Sequence, residues 1–422
     1  MQKKKKILML SDHALSTSGV GCQSRFLING LLEKGEWSVR QLGAAIAHEN
    51  YDVVKVTDDF VIKPVDGFGN PDMIRQILVT EKPDVIFIFT DPRFFTWLWE
   101  MEDEIHQVCP IAYWHVWDNY PSPKFNKVLY DSTDLINCHS YLTYNIVKEM
   151  FPERTGFIPH ALPESIYYEL NEKEKLEARR KVLGGPSYDD KFVALWVNRN
   201  AKRKRPGDLL WAWSKFIKKL KEREGKNFKN DAVLLMHTDP NDPEGPNLYE
   251  NIKMLDIIDS VILSVDRVDF SQMNMIHNAV DCCIQISYAE GFGLSTLEAM
   301  QCGNPIIATK TGGLTRQVVD HRDGSENGIA LDIEFQTLVG SQHVPYIFED
   351  YCSTDTIADA FMKLYDTPKH KREALGQKAK KYVQEEFGYQ KTVDLWHESL
   401  KNLIENWQKE KETRGQWSIQ SF

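Results

Sequence analysis

Long apolar runs are missing from this 422-residue chain. The run after the N-terminal lysines is only "ILML". That is too short for a signal-peptide core or a membrane span, so it reads as a first strand. The lysines themselves read as a solvated leader, with weak peripheral contact to an anionic membrane as the other reading. Cysteine is sparse: seven residues, an odd number, with no metal-ligand spacing. This excludes a disulfide framework and implies a reducing, cytoplasmic setting. Cys282 and Cys283 stand together in an apolar run and read as buried thiols. Positive charge is not in excess, since the net charge is −10. A whole-surface nucleic-acid binder is therefore not expected, although a local basic cleft is compatible with it. There is no short repeat and no low-complexity tract. There is also no G-x-G-x-x-G fingerprint in the first half, and no convincing Asp-x-Asp metal motif.

What is present is a soluble globular balance, 42% hydrophobic and 27% charged, in a chain long enough for two domains. Continuous apolar strands such as "KILML", "DVIFIF" and "PIAYWH" alternate with helical spacing such as "PDMIRQILVTEKP". Such alternation predicts a parallel sheet covered on both faces. A charged segment, "ELNEKEKLEARRKVLGGPSYDD", reads as an exposed helix and a connection. A second alternation then begins at "KFVALWVNRN". The expected class is α/β, with two doubly wound Rossmann-like domains over residues 1–165 and 190–387. A last helix is expected over 388–410. In this architecture ligands sit at the carboxyl ends of the strands, in a central cleft.

The chemistry concentrates in "YAEGFGLSTLEAMQCGNPIIATKTGG", residues 288–313. The strand "DCCIQIS" delivers Glu290 to its carboxyl mouth, and Gly291-Phe292-Gly293 makes the turn into a helix that starts near Ser295. The amides of Phe292, Gly293, Leu294 and Ser295 then form an anion site at a helix N-terminus. Glu298 has two readings. One is a capping box with Ser295; the other is an acceptor for a vicinal diol such as a ribose. Glu290 is either a solvated loop charge or a ligand-binding carboxylate. In "WVNRNAKRKRPGD", Arg199 and Lys204 follow another strand and can neutralise a pyrophosphate. Lys202, Arg203 and Arg205 fit a solvated basic loop. "STSGVG", residues 16–21, is a further glycine turn ahead of a helix.

"EGFGLSTLE" followed by "CGNPIIATKTGG" resembles the E-x7-E signature of retaining glycosyltransferases with the GT-B fold, especially family 4 (glycosyl transferases group 1). "RNAKRK" is similar to that family's Arg…Lys donor-phosphate pair, and "SGVG" to its N-terminal glycine loop. The likeness is strongest over residues 192–320 and thinner over the first half. Two departures stand out: Asn198 precedes Arg199 where the family often has Gly, and "WHVWDNYPSP" is unusually aromatic. By this resemblance Glu290 would hold the donor sugar and Glu298 the ribose. Arg199, Lys204 and the amides of Gly293 and Leu294 would hold the diphosphate. Gly19 and Gly21 would bring the N-terminal loop to phosphate or acceptor. His115 would contact the donor sugar, although the sequence also allows a satisfied core histidine, and the last helix, 388–410, would pack back on the first domain.

The activity this implies is metal-independent transfer of a sugar, with retention, from a nucleotide-sugar such as a UDP- or GDP-sugar to a glycan or lipid-linked acceptor. No cofactor is expected, because fixed cations and oriented amides can meet the charge that grows on the leaving diphosphate. The rival readings are a sugar-nucleotide-binding relative without turnover, a sugar-nucleotide epimerase, a phosphorylase and a glycoside hydrolase. The hydrolase leaves the cations unexplained.

Overall fold

The computed structural model describes residues 3–46 and 48–414 and divides into two units. The described residues of Met1–Ala161, Gly340–Pro345 and Tyr389–Phe422 form the first; Leu162–Val339 and Tyr346–Gly388 form the second.

The first unit is built on eight strands: β1 (Lys5–Asp12), β2 (Trp37–Ala44), β3 (Val54–Lys55), β4 (Phe60–Pro64), β5 (Val85–Phe89), β6 (Ile111–His115), β7 (Leu135–Cys138) and β8 (Thr155–Phe157). Their order is β3-β4-β2-β1-β5-β6-β7-β8, parallel except at β3–β4. Side chains alternate across a strand, so a sheet covered on both sides must be apolar at every position. Ile7, Met9, Phe87 and Trp114 duly fill one core, together with Trp396, Leu400 and Ile404 of the helix Tyr389–Arg414. Leu8, Leu10, Ile86 and Tyr113 fill the other. Lys4 pairs with Asp59 at 2.5 Å and Lys6 with Glu81 at 2.6 Å, so both lysines carry ion pairs to the unit while Lys4 stays exposed. Among the described residues no helix is long and apolar enough to cross a membrane.

The second unit holds β9 (Phe192–Val197), β10 (Ala232–His237), β11 (Val261–Ser264), β12 (Cys282–Gln285), β13 (Ile306–Thr309) and β14 (Gly328–Leu331). All are parallel, in the order β11-β10-β9-β12-β13-β14. This is the 3-2-1-4-5-6 order of a Rossmann sheet, with its switch point between β9 and β12. Both faces are again buried: Phe192, Ala194 and Trp196 point into one core, Val193 and Leu195 into the other. Cys282 and Cys283 are fully buried free thiols.

Two sequence expectations need correction. The helix Glu172–Leu183 is well capped, with a capping box at Asn171/Glu174 and left-handed Gly184 at its end. The helix is largely exposed, as expected, but it is part of the second unit rather than a connection: Ala178 and Leu183 enter that unit's core and Arg179 pairs with Asp281 at 3.0 Å. The second correction is an antiparallel hairpin, β15 (Phe335–Val339) with β16 (Ile347–Tyr351), which the strand–helix alternation did not foretell.

Candidate functional site

Within the second unit the switch point gathers the segments that leave β9 and β12. After β9 the chain makes a short 3-10 turn, Lys202–Lys204, and Arg205 takes a left-handed conformation (φ 57°) to start the helix Pro206–Glu224. After β12 it runs through Tyr288-Ala289-Glu290 into the glycine turn. The two exits are stitched together: Tyr288 N–H donates to Arg203 O at 3.0 Å, and Arg203 Nη1 donates to Ala289 O at 2.7 Å. The Lys204 ammonium consequently lies on the Glu290 carboxylate, and Arg203 Nη1 stands 3.6 Å from the same oxygen.

Glu290 is buried, and burial by itself would raise its pKa. The charges of Lys204 and Arg203 and the hydrogen bond from Ser287 Oγ at 2.9 Å outweigh that and hold it at about 2. Gln285 Nε2 donates to the same oxygen at 3.3 Å, and Gln285 also exchanges two amide hydrogen bonds with Asn198, at 2.8 and 2.9 Å. Glu290 is therefore a fixed anion, not the solvated loop charge that the sequence allowed. Arg205 is not solvated either: it is buried, donates to Asp208 and Cys352 O, and lies 5.0 Å over the Tyr288 ring.

The glycine turn ends at Gly293 (φ 93°), which caps the helix Leu294–Gln301 without any side-chain cap. The left-handed conformation favours glycine here, and a Cβ would also press on Leu314 Cδ2 at 2.4 Å. The second glycine turn packs directly on the first, with Gly313 N–H donating to Glu290 O at 2.9 Å. Gln317 Nε2 donates to Phe292 O at 2.7 Å and to Gly293 O at 3.1 Å. In a trans peptide a carbonyl turned inward sends the next N–H outward. The amides of Gly293 and Leu294 are thus turned away from Gln317, and with Ser295 they form the positive end of a helix.

Glu298 makes no capping box. Its Oε2 lies 2.9 Å from Nε2 of the fully buried His277, which leaves Oε1 for another donor. Arg199 is 62% exposed and forks onto Asp242, which holds its guanidinium even more firmly protonated.

Three of the expected residues lie in the first unit. Gly19 and Gly21 open the helix Gly19–Glu33, where Ser18 Oγ accepts from Gly21 N–H at 2.9 Å. A Cβ at Gly21 would lie 2.6 Å from His13 O. His115 ends β6 with no exposed surface, 2.7 Å from Tyr130 Oη. Burial, aided by nearby His139, lowers its pKa to about 3, so the ring is a neutral core histidine. The donor contact that the resemblance implied is closed to His115 in this state.

Sequence reasoning did not foresee Arg203, Asp242, His277 or Gln317. Asp242 follows β10 at a strand's carboxyl end, which was a usable signal; the other three carried none.

Residues 181–382 match the family described as glycosyl transferases group 1. Among curated proteins, a D-inositol 3-phosphate glycosyltransferase of Catenulispora acidiphila is 34% identical over 148 residues, 35% of this chain and 34% of that protein. The N-acetyl-alpha-D-glucosaminyl L-malate synthase of Bacillus anthracis is 23% identical over 279 residues, 65% of this chain and 62% of that protein. The chain spans about a third of the length of the first of these. Among solved structures, sucrose-phosphate synthase from Thermosynechococcus elongatus superposes with a TM-score of 0.74 at 16% identity, covering 96% of this chain and all of that one. Anabaena HepE, solved with UDP-glucose, gives 0.66 at 16% identity and covers 94% of this chain and all of that one. At such identities the likeness speaks for the fold, two Rossmann-like sheets as in GT-B glycosyltransferases. The module at residues 181–382 is thus similar to the glycosyl transferases group 1 family.

Proposed function

We propose that the protein transfers a sugar from a nucleotide-sugar donor to a glycan or lipid-linked acceptor, with retention of anomeric configuration and without a metal ion. The observation that carries this reading is the cluster at the switch point. There a buried, ionised Glu290 is neutralised by Lys204 and Arg203 beside a glycine turn whose amides form a helix N-terminus.

In this reading the donor diphosphate lies against the amides of Phe292, Gly293, Leu294 and Ser295. Lys204 and Arg199 supply the cations, Glu290 accepts from hydroxyls of the donor sugar, and Glu298 Oε1 meets the ribose diol. As the bond from the anomeric carbon to the diphosphate oxygen breaks, negative charge grows where the amides and cations stand. The acceptor oxygen bonds to the anomeric carbon on the same face, and its proton passes to the departing diphosphate. His115, buried against Tyr130, takes no part.

Anabaena HepE was solved with UDP and UDP-glucose, which makes UDP-sugars the first donors to test. The test is a thermal-shift screen of UDP-, GDP- and ADP-sugars in the presence of a chelator, followed by NMR of the anomeric product. One donor should stabilise the protein by mass action, and Lys204→Ala and Glu298→Ala should lose most of that shift. Inverted product, or transfer abolished by the chelator, would refute retention or metal independence. A shift without product would favour a sugar-nucleotide-binding relative without turnover, and no shift with any donor would refute the donor reading.

A further inference from the structure

Arg199 is exposed but not loose. Its Nε donates to Asp242 Oδ2 at 2.6 Å and its Nη2 to Asp242 Oδ1 at 3.0 Å. This side-on fork uses one edge of a planar group that carries five N–H donors. The end-on edge, Nη1 with the second hydrogen of Nη2, has the geometry to grip another oxyanion with two parallel bonds.

The carboxylate is the fixed member of the pair: the Asp242 side chain is 13% exposed, against 62% for Arg199. Asp242 Oδ1 also accepts from Glu244 N–H at 3.0 Å. The loop that carries it is clasped to the segment leaving β9. Lys202 N–H donates to Glu244 O at 2.9 Å, and the buried Asn200 amide donates to Pro240 O at 3.2 Å and Pro246 O at 2.9 Å. A Cβ on Gly245 would come within 2.3 Å of Asn200 O, so the clasp is tight at backbone level. Glu244 adds negative charge within electrostatic reach of the guanidinium. An exposed ion pair of this kind contributes little to stability.

We infer that Asp242 is a positioning residue: it fixes Arg199 so that the guanidinium's end-on edge is presented to the diphosphate of the nucleotide donor. This rests on the donor reading above. The opposite account makes Asp242 a competitor that withholds Arg199 from phosphate, and it predicts the opposite sign.

Titration calorimetry of the full chain with UDP, GDP and ADP, and with the matching monophosphates, decides between them. Asp242→Asn should weaken the diphosphate by about tenfold, the effect of misplacing one charge-assisted contact. The monophosphate should change much less. Arg199→Ala should show the same loss, and the double variant no further loss. Asp242→Glu, which keeps the charge and moves the fork, should be impaired as well. Equal or tighter diphosphate binding by Asp242→Asn overturns the inference. So does an equal loss for both nucleotides, which would mark a structural role. If Arg199→Ala weakens UDP and Asp242→Asn does not, this inference fails while the donor reading stands. If the wild type binds no nucleoside diphosphate, the donor reading fails and this inference with it.

Discussion

Glu290 shows how neighbours decide a residue's chemistry. Burial alone would favour the protonated acid, but Lys204, Arg203 and Ser287 bring the pKa from the usual 4.5 to about 2. A carboxyl depressed in the folded state contributes stability that is complete above its unfolded pKa and lost as pH falls through the folded one, here over pH 4.5 to 2. A depression of this size corresponds to roughly 3 kcal/mol. Glu290→Gln should therefore cost about that much in urea unfolding at pH 7, because it strands a largely buried Lys204, and the deficit should shrink towards pH 2. The glycines make a second prediction. A Cβ at Gly313 would lie 2.5 Å from Gly291 O and 2.6 Å from Phe292 Cα, both rigid backbone. Gly313→Ala should cost about 1–3 kcal/mol by overpacking. Gly207→Ala, where the nearest atom is Pro246 Cγ at 4.0 Å, should be neutral or stabilising by about 0.5–1 kcal/mol. Chemical denaturation of the pair checks both.

At the scale of elements, the hairpin β15–β16 braces the candidate site. Asp350 N–H donates to Tyr288 O at 2.7 Å, while its buried carboxylate accepts from Thr311 Oγ1 at 2.5 Å and from Gln336 Nε2 at 2.6 Å. Thr311 leads into the second glycine turn and Tyr288 into the first, so one acid holds both. The rings reinforce it: Phe335 stacks on Tyr351 at 4.7 Å, and Tyr351 lies 4.5 Å from Tyr288. Thr311→Val removes a donor from a buried carboxylate and should cost about 1–3 kcal/mol. Nucleotide affinity should fall alongside; a stability loss with unchanged affinity would separate the brace from binding. The strands and helices around this brace were legible because each is written in local periodicity, caps and glycines. The helix after the turn was expected near Ser295 and begins at Leu294. The hairpin was not legible, since "FQTLVGSQHVPYIFEDY" interrupts a parallel strand–helix alternation with an antiparallel pair that no neighbouring element announces.

At the scale of the whole molecule, the two units carry different titrating groups. His115 and His160 are both buried in the first unit, and burial lowers both pKa values, His115 to about 3. A histidine depressed by folding stabilises the fold above its unfolded pKa of about 6.5 and destabilises it as pH falls below that. At pH 5, His115 alone should remove about 2 kcal/mol, and His160 acts in the same direction. In the second unit the His237 pKa is lowered by burial in the same direction, but His237 is only partly buried, and the buried Glu290 is lost only at far lower pH. Hydrogen exchange at pH 5 should then show the first unit opening before the second, and His115→Gln should flatten that dependence. Uniform opening of both units would contradict it.

The sequence by itself determined the two α/β units, the glycine turns at strand ends and the pattern that carries the family. These are properties of neighbours along the chain, fixed by side-chain periodicity, backbone freedom at glycine and local capping. Tertiary structure decided which partner each charged group meets. Lys204 lies on Glu290, Arg199 on Asp242 and His277 on Glu298, pairs separated by 86, 43 and 21 residues. It also decided that His115 is buried and neutral rather than presented to a ligand. No local pattern encodes these outcomes, because burial and electrostatic partnership exist only once distant strands have been brought to a common edge of the sheet.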